Sequence, residues 1–243
     1  MLDSLKIVLV GTSHPGNIGS AARAMKTMGL TKLVLVSPVK FPHQHAIEMA
    51  SGACDLLEEA EVVDTLEEAI ADCHLVIGSS ARPRGIQIPM LEMDQFGSKI
   101  VKQVDSVKSA LVFGRERTGL NNDELGCCHF HVMVDTNPEY GSLNLAQAVQ
   151  LFCYEIRKAY TTYNKNFSAN NVDELNLLAS SNEVDGFYQH LEQTLFQIEF
   201  LDNLQPKKVI PKLKRLFNRS HLESSEINIL RGILSSMQKH IKD

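Results

Sequence analysis

The stretch LKIVLVGTSHPGNIGSAARAMKTMGLTKLVLVS, Leu5 to Ser37, decides the fold class. Two short apolar runs, LKIVLV and KLVLVS, flank a segment that opens with turn residues and continues as a small-residue helix from Ile18 to Met28, stopped by Gly29. Apolar runs rich in Val, Ile and Leu, bounded by turn signals, read as parallel strands buried on both faces. The same pattern recurs at HLVIGSS, SALVFG and HVMVDT, with helix-like HAIEMASGACDLLE and TLEEAIADC in between and Thr65 placed to cap the latter. This alternation predicts an α/β domain, a mostly parallel sheet with helices on both faces.

From Leu143 the pattern changes to one long helix, LNLAQAVQLFCYEIRKAYTTY, in which Leu145, Val149, Phe152, Ile156 and Tyr160 form a packing stripe. NKNFSANNVD then interrupts it with polar residues and no apolar period, as a linker does. The expected organisation is an α/β domain over 1–163, a linker over 164–173 and a small helical domain over 174–243. The helical part opens with VDGFYQHLEQTLFQIEFL and closes with a helix from about Glu223. Between them Lys207, Lys208, Lys212, Lys214, Arg215 and Arg219 fall in a fifteen-residue run without an acid. Such a run is either a solvated helix face or a phosphate-contacting surface.

Composition narrows the class of function. The chain has 243 residues, 44% hydrophobic and 22% charged, which suits an ordinary globular protein. No apolar run approaches the roughly 20 residues of a membrane span, and MLDSLK leads straight into a strand, so a cytoplasmic protein without a signal peptide is expected. Five cysteines without a C-x-x-C pair support neither a disulfide framework nor a zinc site. The formal charge of −5 excludes coating nucleic acid by bulk charge while allowing a local basic patch. The acidity is uneven: residues 165–243 carry 10 Lys/Arg against 10 Asp/Glu, leaving 14 against 19 for residues 1–164.

In open parallel sheets ligands bind beyond the carboxyl ends of the strands. The segments found there are SSARPRG after HLVIG, RERTGL after SALVFG, and NPEYGSLNLAQ after HVMVDT, each supplying glycine or small polar residues where backbone approaches a ligand or turns sharply. G-x-G-x-x-G, the P-loop signature and G-x-S-x-G are all absent, which disfavours a dinucleotide dehydrogenase, a P-loop NTPase and a serine hydrolase. His129 and His131 stand at strand spacing without further ligands nearby and read as structural.

Three motifs taken together, N-I-G-S-A-A-R at Asn17 to Arg23, G-R-E-R-T-G at Gly114 to Gly119 and S-L-N-L-A at Ser142 to Ala146, resemble in order the signatures of the SPOUT RNA ribose 2′-O-methyltransferases. The likeness covers roughly residues 5 to 160, and with the helical tail the whole chain is similar to the tRNA-modifying branch of that family. The resemblance implies a homodimer with a deep trefoil knot in the carboxyl-terminal part of the α/β domain, holding S-adenosylmethionine and no metal. It implies that Ser79, Ser80, Ala81, Gly114, Val134, Gly141, Ser142 and Leu143 hold that cofactor, with Asn144 fixing the loop. It implies tRNA as substrate, without membrane or DNA partners, and the cytidine or uridine at the start of the anticodon loop as target. Ribosomal RNA, another tRNA nucleotide, or a non-catalytic RNA-binding dimer are the alternatives.

Transfer to a ribose 2′-hydroxyl needs that oxygen aligned with the methyl donor, its negative charge stabilised and its proton removed. The resemblance places Arg23 at the active site, reaching the partner's cofactor. A guanidinium holds its proton at any working pH, so orienting the phosphate and stabilising an alkoxide suits it better than acting as base. Glu116 either anchors Arg23 or Asn17 or accepts the proton, and Ser142 is placed to contact the hydroxyl. The expected RNA-binding residues are Arg23, Arg82, Arg84, Arg115 and Arg117, with Lys207, Lys208, Lys212, Lys214 and Arg215 of the tail.

Overall fold

Alternate residues of the apolar runs go to opposite faces, and each face receives its own helical layer. In the computed structural model, which describes residues 2–81, 88–103, 107–166, 178–201 and 206–240 without the side chains of 164–166 and 206–208, β1 (Leu5–Val10) runs through the middle of a parallel sheet. It pairs on one side with β2 (Lys32–Val36), which carries β3 (Glu61–Val63), and on the other with β6 (Ser109–Phe113). β6 pairs with β4 (Leu75–Ser79), β4 with β7 (Phe130–Val132), and β7 with β5 (Met90–Leu91), giving the order β3-β2-β1-β6-β4-β7-β5 among the described residues. β7 therefore lies between β4 and β5, although β4 and β5 are consecutive in the chain. The five strands expected from apolar runs are all present; β3 and β5 are short edge strands that the runs did not reveal.

Leu5, Ile7 and Leu9 face one layer, built from α1 (Pro15–Met28), α2 (Gln44–Ala50), α3 (Cys54–Glu58), α5 (Met93–Val101) and α7 (Leu145–Asn166). Val8 and Val10 face the other, built from α4 (Leu66–Ile70) and α6 (Asn122–Gly126). In the first layer Phe152 meets Phe96 and Phe113 edge-on, with ring centroids 5.2 and 5.4 Å apart. Such pairs contribute about 1 kcal/mol each beyond their buried area. Gly19 lets α1 lie against α2, since a Cβ there would fall 2.0 Å from the Ala46 carbonyl oxygen. Thr65 caps α4 in a reciprocal capping box with Glu68. The segment read as one helix, HAIEMASGACDLLE, is instead broken at Ser51–Ala53, where the weak helix formers Ser51 and Gly52 tighten the chain into a 3-10 turn between α2 and α3.

The helix expected to end at 163 continues to Asn166, because no breaker stands in its last turn. After it come α8 (Ser181–Gln197), the basic α9 (Pro206–Asn218) and α10 (Ser224–His240), gathered around Phe187, Tyr188, Ile227 and Leu234. These helices dock on the sheet at the amino-terminal ends of its strands. The Ser181 amide and hydroxyl both donate to the Cys73 carbonyl, the Asn182 amide to Ala71, and the Asn218 side chain to the Gly126 carbonyl. His221 stacks on Phe130, whose ring also receives Lys99 at 4.2 Å. His129 lies half-buried in this seam, its Nδ1 accepting the Val76 amide, and desolvation followed by the charge of His221 pushes its pKa down to about 4. No helix among the described residues is long and apolar enough to cross a membrane.

Candidate active site

At the opposite, carboxyl-terminal ends of β4, β6 and β7 the chain opens into a cavity of about 220 Å3. Ser79, Ser80 and Ala81 line it from the exit of β4, Gly114 to Gly119 from the exit of β6, Val134 and Thr136 from the segment after β7, and Gly141, Ser142 and Leu143 from the loop before α7. All the expected cofactor residues except Asn144 thus share one wall. Phe113, Thr118, Leu120, Thr136, Ala148 and Phe152 line it as well and were not singled out. Ala148 and Phe152 belong to α7, whose apolar stripe reads as packing alone, yet its first turns also floor the cavity.

Each loop is held in shape by its own chemistry. Gly114 is required by close approach: a Cβ there would sit 2.0 Å from the Gly119 carbonyl carbon. The Gly119 amide donates to the Arg115 carbonyl and closes the loop. Arg115 pairs with Glu124 of α6 at 2.9 Å and lies across Gly11, tying this loop to its neighbours, with its side chain still partly exposed. Arg117 in the same loop is exposed. At the exit of β4 the Ser80 amide bonds to the Val132 carbonyl and its hydroxyl lies 3.3 Å from His131 Nδ1; burial lowers the pKa of that histidine.

The three motifs meet beside the cavity in one chain of hydrogen bonds. Glu116 accepts from the amides of Ser13 and His14, the Ser13 hydroxyl and the Asn17 side-chain amide. It thereby caps α1, whose own N-cap residue His14 makes no side-chain cap bond. Asn17 Oδ1 in turn accepts from Asn144 Nδ2 at 2.9 Å, and Asn144 Oδ1 accepts from the amides of Ala146 and Gln147, capping α7. Burial pushes the Glu116 pKa upward, but the bonds from Asn17 and the backbone amides outweigh it and hold the carboxyl down to about 2.

Of the other expected residues, Asn144 and Asn17 line a second, open groove of about 860 Å3 together with Ser20, Met49, Gln147 and Leu151. Leu143 borders both spaces. Arg23 lies one turn past Ser20 on α1, exposed, without an ion-pair partner among the described residues and not in the wall of the cavity. Arg82 and Arg84 lie outside the described residues. In the tail, Lys212 is exposed, Lys214 and Arg215 are half-buried, and Lys214 stands 5.4 Å over the Tyr188 ring; the side chains of Lys207 and Lys208 lie outside the described residues. Among the described residues no His/Cys/Asp/Glu cluster suits a metal ion.

A parallel sheet with glycine- and serine-rich loops around one cavity, flanked by the Glu116–Asn17–Asn144 chain, is the arrangement of a methylase of the SpoU class. The SpoU rRNA Methylase family model matches residues 4–154, and the model of the tRNA methyltransferase TrmJ C-terminal domain matches residues 182–243. The tRNA (cytidine/uridine-2′-O-)-methyltransferase TrmJ of Salmonella choleraesuis is 50% identical over 242 residues, covering 100% of this chain and 99% of that one. The crystal structure of TrmJ from Z. mobilis ZM4 superposes with a TM-score of 0.84 at 34% identity, covering 96% of this chain and 98% of its own. The chain belongs to the TrmJ family of SpoU methylases. At the level of fold alone it is also similar to the SpoU methyltransferase AviRb from Streptomyces viridochromogenes in complex with the cofactor AdoMet, with a TM-score of 0.54 at 20% identity, over 67% of this chain and 62% of that one.

Proposed function

We propose that this protein is an S-adenosylmethionine-dependent tRNA ribose 2′-O-methyltransferase that acts in the cytoplasm on the cytidine or uridine at the start of the anticodon loop. The observation that carries the reading is the union of three motifs, far apart in sequence, beside one cavity in a chain 50% identical over its whole length to a TrmJ enzyme. The match of the tail to the TrmJ C-terminal domain favours tRNA over ribosomal RNA.

The cavity fits the cofactor by the chemistry of its walls. Apolar Leu120, Val134 and Leu143 offer faces to a flat ring, while Ser79, Thr136 and the backbone of the glycine turns offer hydrogen-bonding groups at its edges. When bound, S-adenosylmethionine would supply the methyl group from its sulfonium, giving the thioether S-adenosylhomocysteine, while the proton of the 2′-hydroxyl would pass to solvent. The chain's own part is to seat the ribose, stabilise charge on its 2′-oxygen and keep other nucleophiles away. Arg23, permanently cationic and exposed, is assigned to the phosphate and the developing alkoxide, and Ser142 to the hydroxyl. Glu116, already accepting from four groups at a pKa of about 2, is assigned to anchoring α1 rather than to taking the proton.

Arg23 serves the cavity of a second copy in this reading. What supports a homodimer is the apolar surface beside its helix, where Ile47, Met49, Leu151 and Tyr154 are exposed on α2 and α7. What supports a trefoil knot is the seating of β7 between β4 and β5, two strands consecutive in the chain. The domain division proposed is an α/β catalytic unit, a connection after α7, and α8 to α10 as the tRNA-gripping unit.

The test is to incubate the purified protein with methyl-labelled S-adenosylmethionine and unmodified tRNA, with ribosomal RNA fragments in parallel, and to locate the label by nuclease digestion and mass spectrometry. Label on the ribose that opens the anticodon loop is the expected result. Label elsewhere overturns the substrate, and binding of both ligands without transfer overturns the enzyme in favour of an RNA-binding dimer.

A further inference from the structure

Tyr140 is 82% exposed, more than any other large hydrophobic side chain among the described residues. Its hydroxyl bonds to no described residue, yet its backbone is firmly held. The Tyr140 amide donates to the Asn137 carbonyl at 2.9 Å, the Glu139 amide to Asn137 Oδ1 at 3.1 Å, and Thr136 Oγ1 to the Gly141 carbonyl at 3.3 Å. The turn is tight: a Cβ on Gly141 would fall 2.8 Å from Thr136 Oγ1. Thr136, Gly141 and Ser142, on either side of Tyr140, all line the cavity. The ring is thus mounted on an ordered turn at the cavity mouth and contributes nothing by burial to the fold.

An exposed aromatic face at such a mouth matches one feature of an RNA substrate, the face of an unpaired base, which stacks on tyrosine whatever its identity. Arg117, exposed in the facing loop, supplies a positive charge for the neighbouring phosphate. We infer that Tyr140 is a substrate-binding residue whose ring stacks on the base of the nucleotide being methylated and so seats its ribose beside Ser142. The inference rests on the RNA methyltransferase reading above.

The test uses the full chain with Tyr140→Ala, Tyr140→Phe and Tyr140→Trp. For each, tRNA affinity is read by anisotropy, S-adenosylmethionine affinity by calorimetry, oligomeric state by light scattering, and KM and kcat by methyl transfer. Tyr140→Ala should raise both Kd and KM for tRNA on the order of tenfold, with a smaller change in kcat and no change in cofactor affinity or oligomeric state. The Phe and Trp variants should keep wild-type affinity. RNA with an abasic nucleotide at the methylated position should bind wild type and Tyr140→Ala within about twofold of each other, since the stacking partner is gone. Wild-type Kd and KM in the Ala variant, a Phe variant as weak as Ala, an abasic RNA that still separates the two proteins, or a loss that follows altered cofactor binding or assembly would each overturn it. If wild type binds tRNA but transfers no methyl, the enzymatic reading fails while the Kd comparison still decides the role of Tyr140.

Discussion

Asn17 and Asn144 have no freedom in how their amides point. A carboxylate can only accept and the first amides of a helix can only donate, so the polarity of the chain from Glu116 to α7 is fixed at both ends. Asn144→Asp keeps the acceptor that caps α7 but removes the donor to Asn17. It should melt within a few degrees of wild type while losing on the order of tenfold in kcat, whereas Asn144→Ala should cost about 1 kcal/mol of stability as well. Glu116→Gln should remove about 1 kcal/mol at neutral pH. Because the folded pKa of about 2 lies below the ordinary value of 4.5, that contribution is complete above about pH 4.5 and is lost as pH falls toward 2. Melting curves of the two proteins should therefore differ at pH 7 and converge below pH 4. Arg23→Ala should abolish methyl transfer while leaving cofactor affinity unchanged by calorimetry; substantial residual turnover would remove Arg23 from the mechanism.

The loop from Gly114 to Gly119 is closed on itself by the bond from the Gly119 amide to the Arg115 carbonyl. Gly114→Ala would drive a methyl group into the Gly119–Leu120 peptide, so the loop must move outward. We expect cofactor affinity to fall by at least about tenfold with the sheet intact, checked by calorimetry beside a circular dichroism spectrum. The main strands and the motif loops were legible in the sequence because buried parallel strands leave continuous apolar runs, and the turns after them need glycine and serine. β3 and β5 were not, being three and two residues long with no period to detect. Nor could sequence reveal that Glu116 meets Asn17, 99 residues away, or that Arg115 turns back onto Glu124; both depend on how separate loops converge once the sheet has formed. Only the first was among the alternatives that the motif set left open.

For the molecule as a whole, a basic run within an otherwise neutral tail stands against an acidic α/β domain. On α9 Lys212 is exposed and Arg215 half-buried, while Lys214 is partly engaged over Tyr188. Lys212→Ala with Arg215→Ala should weaken tRNA binding and flatten the slope of log affinity against log salt by about 1 to 2, measured by anisotropy across a salt series. An unchanged slope would reduce this run to a solvated helix face. The helical unit is pinned to Cys73, Ala71 and Gly126 at one end of the sheet, while the cavity opens at the other. Five residues of β4 separate the two, a span of about 16 Å that a packed strand cannot shorten. If α8 to α10 hold tRNA as proposed, grip and chemistry stand at the two ends of a fixed gauge. On that proposed reading a nucleotide would be selected by how far it stands from the gripped part of its own RNA, by measuring rather than by reading letters.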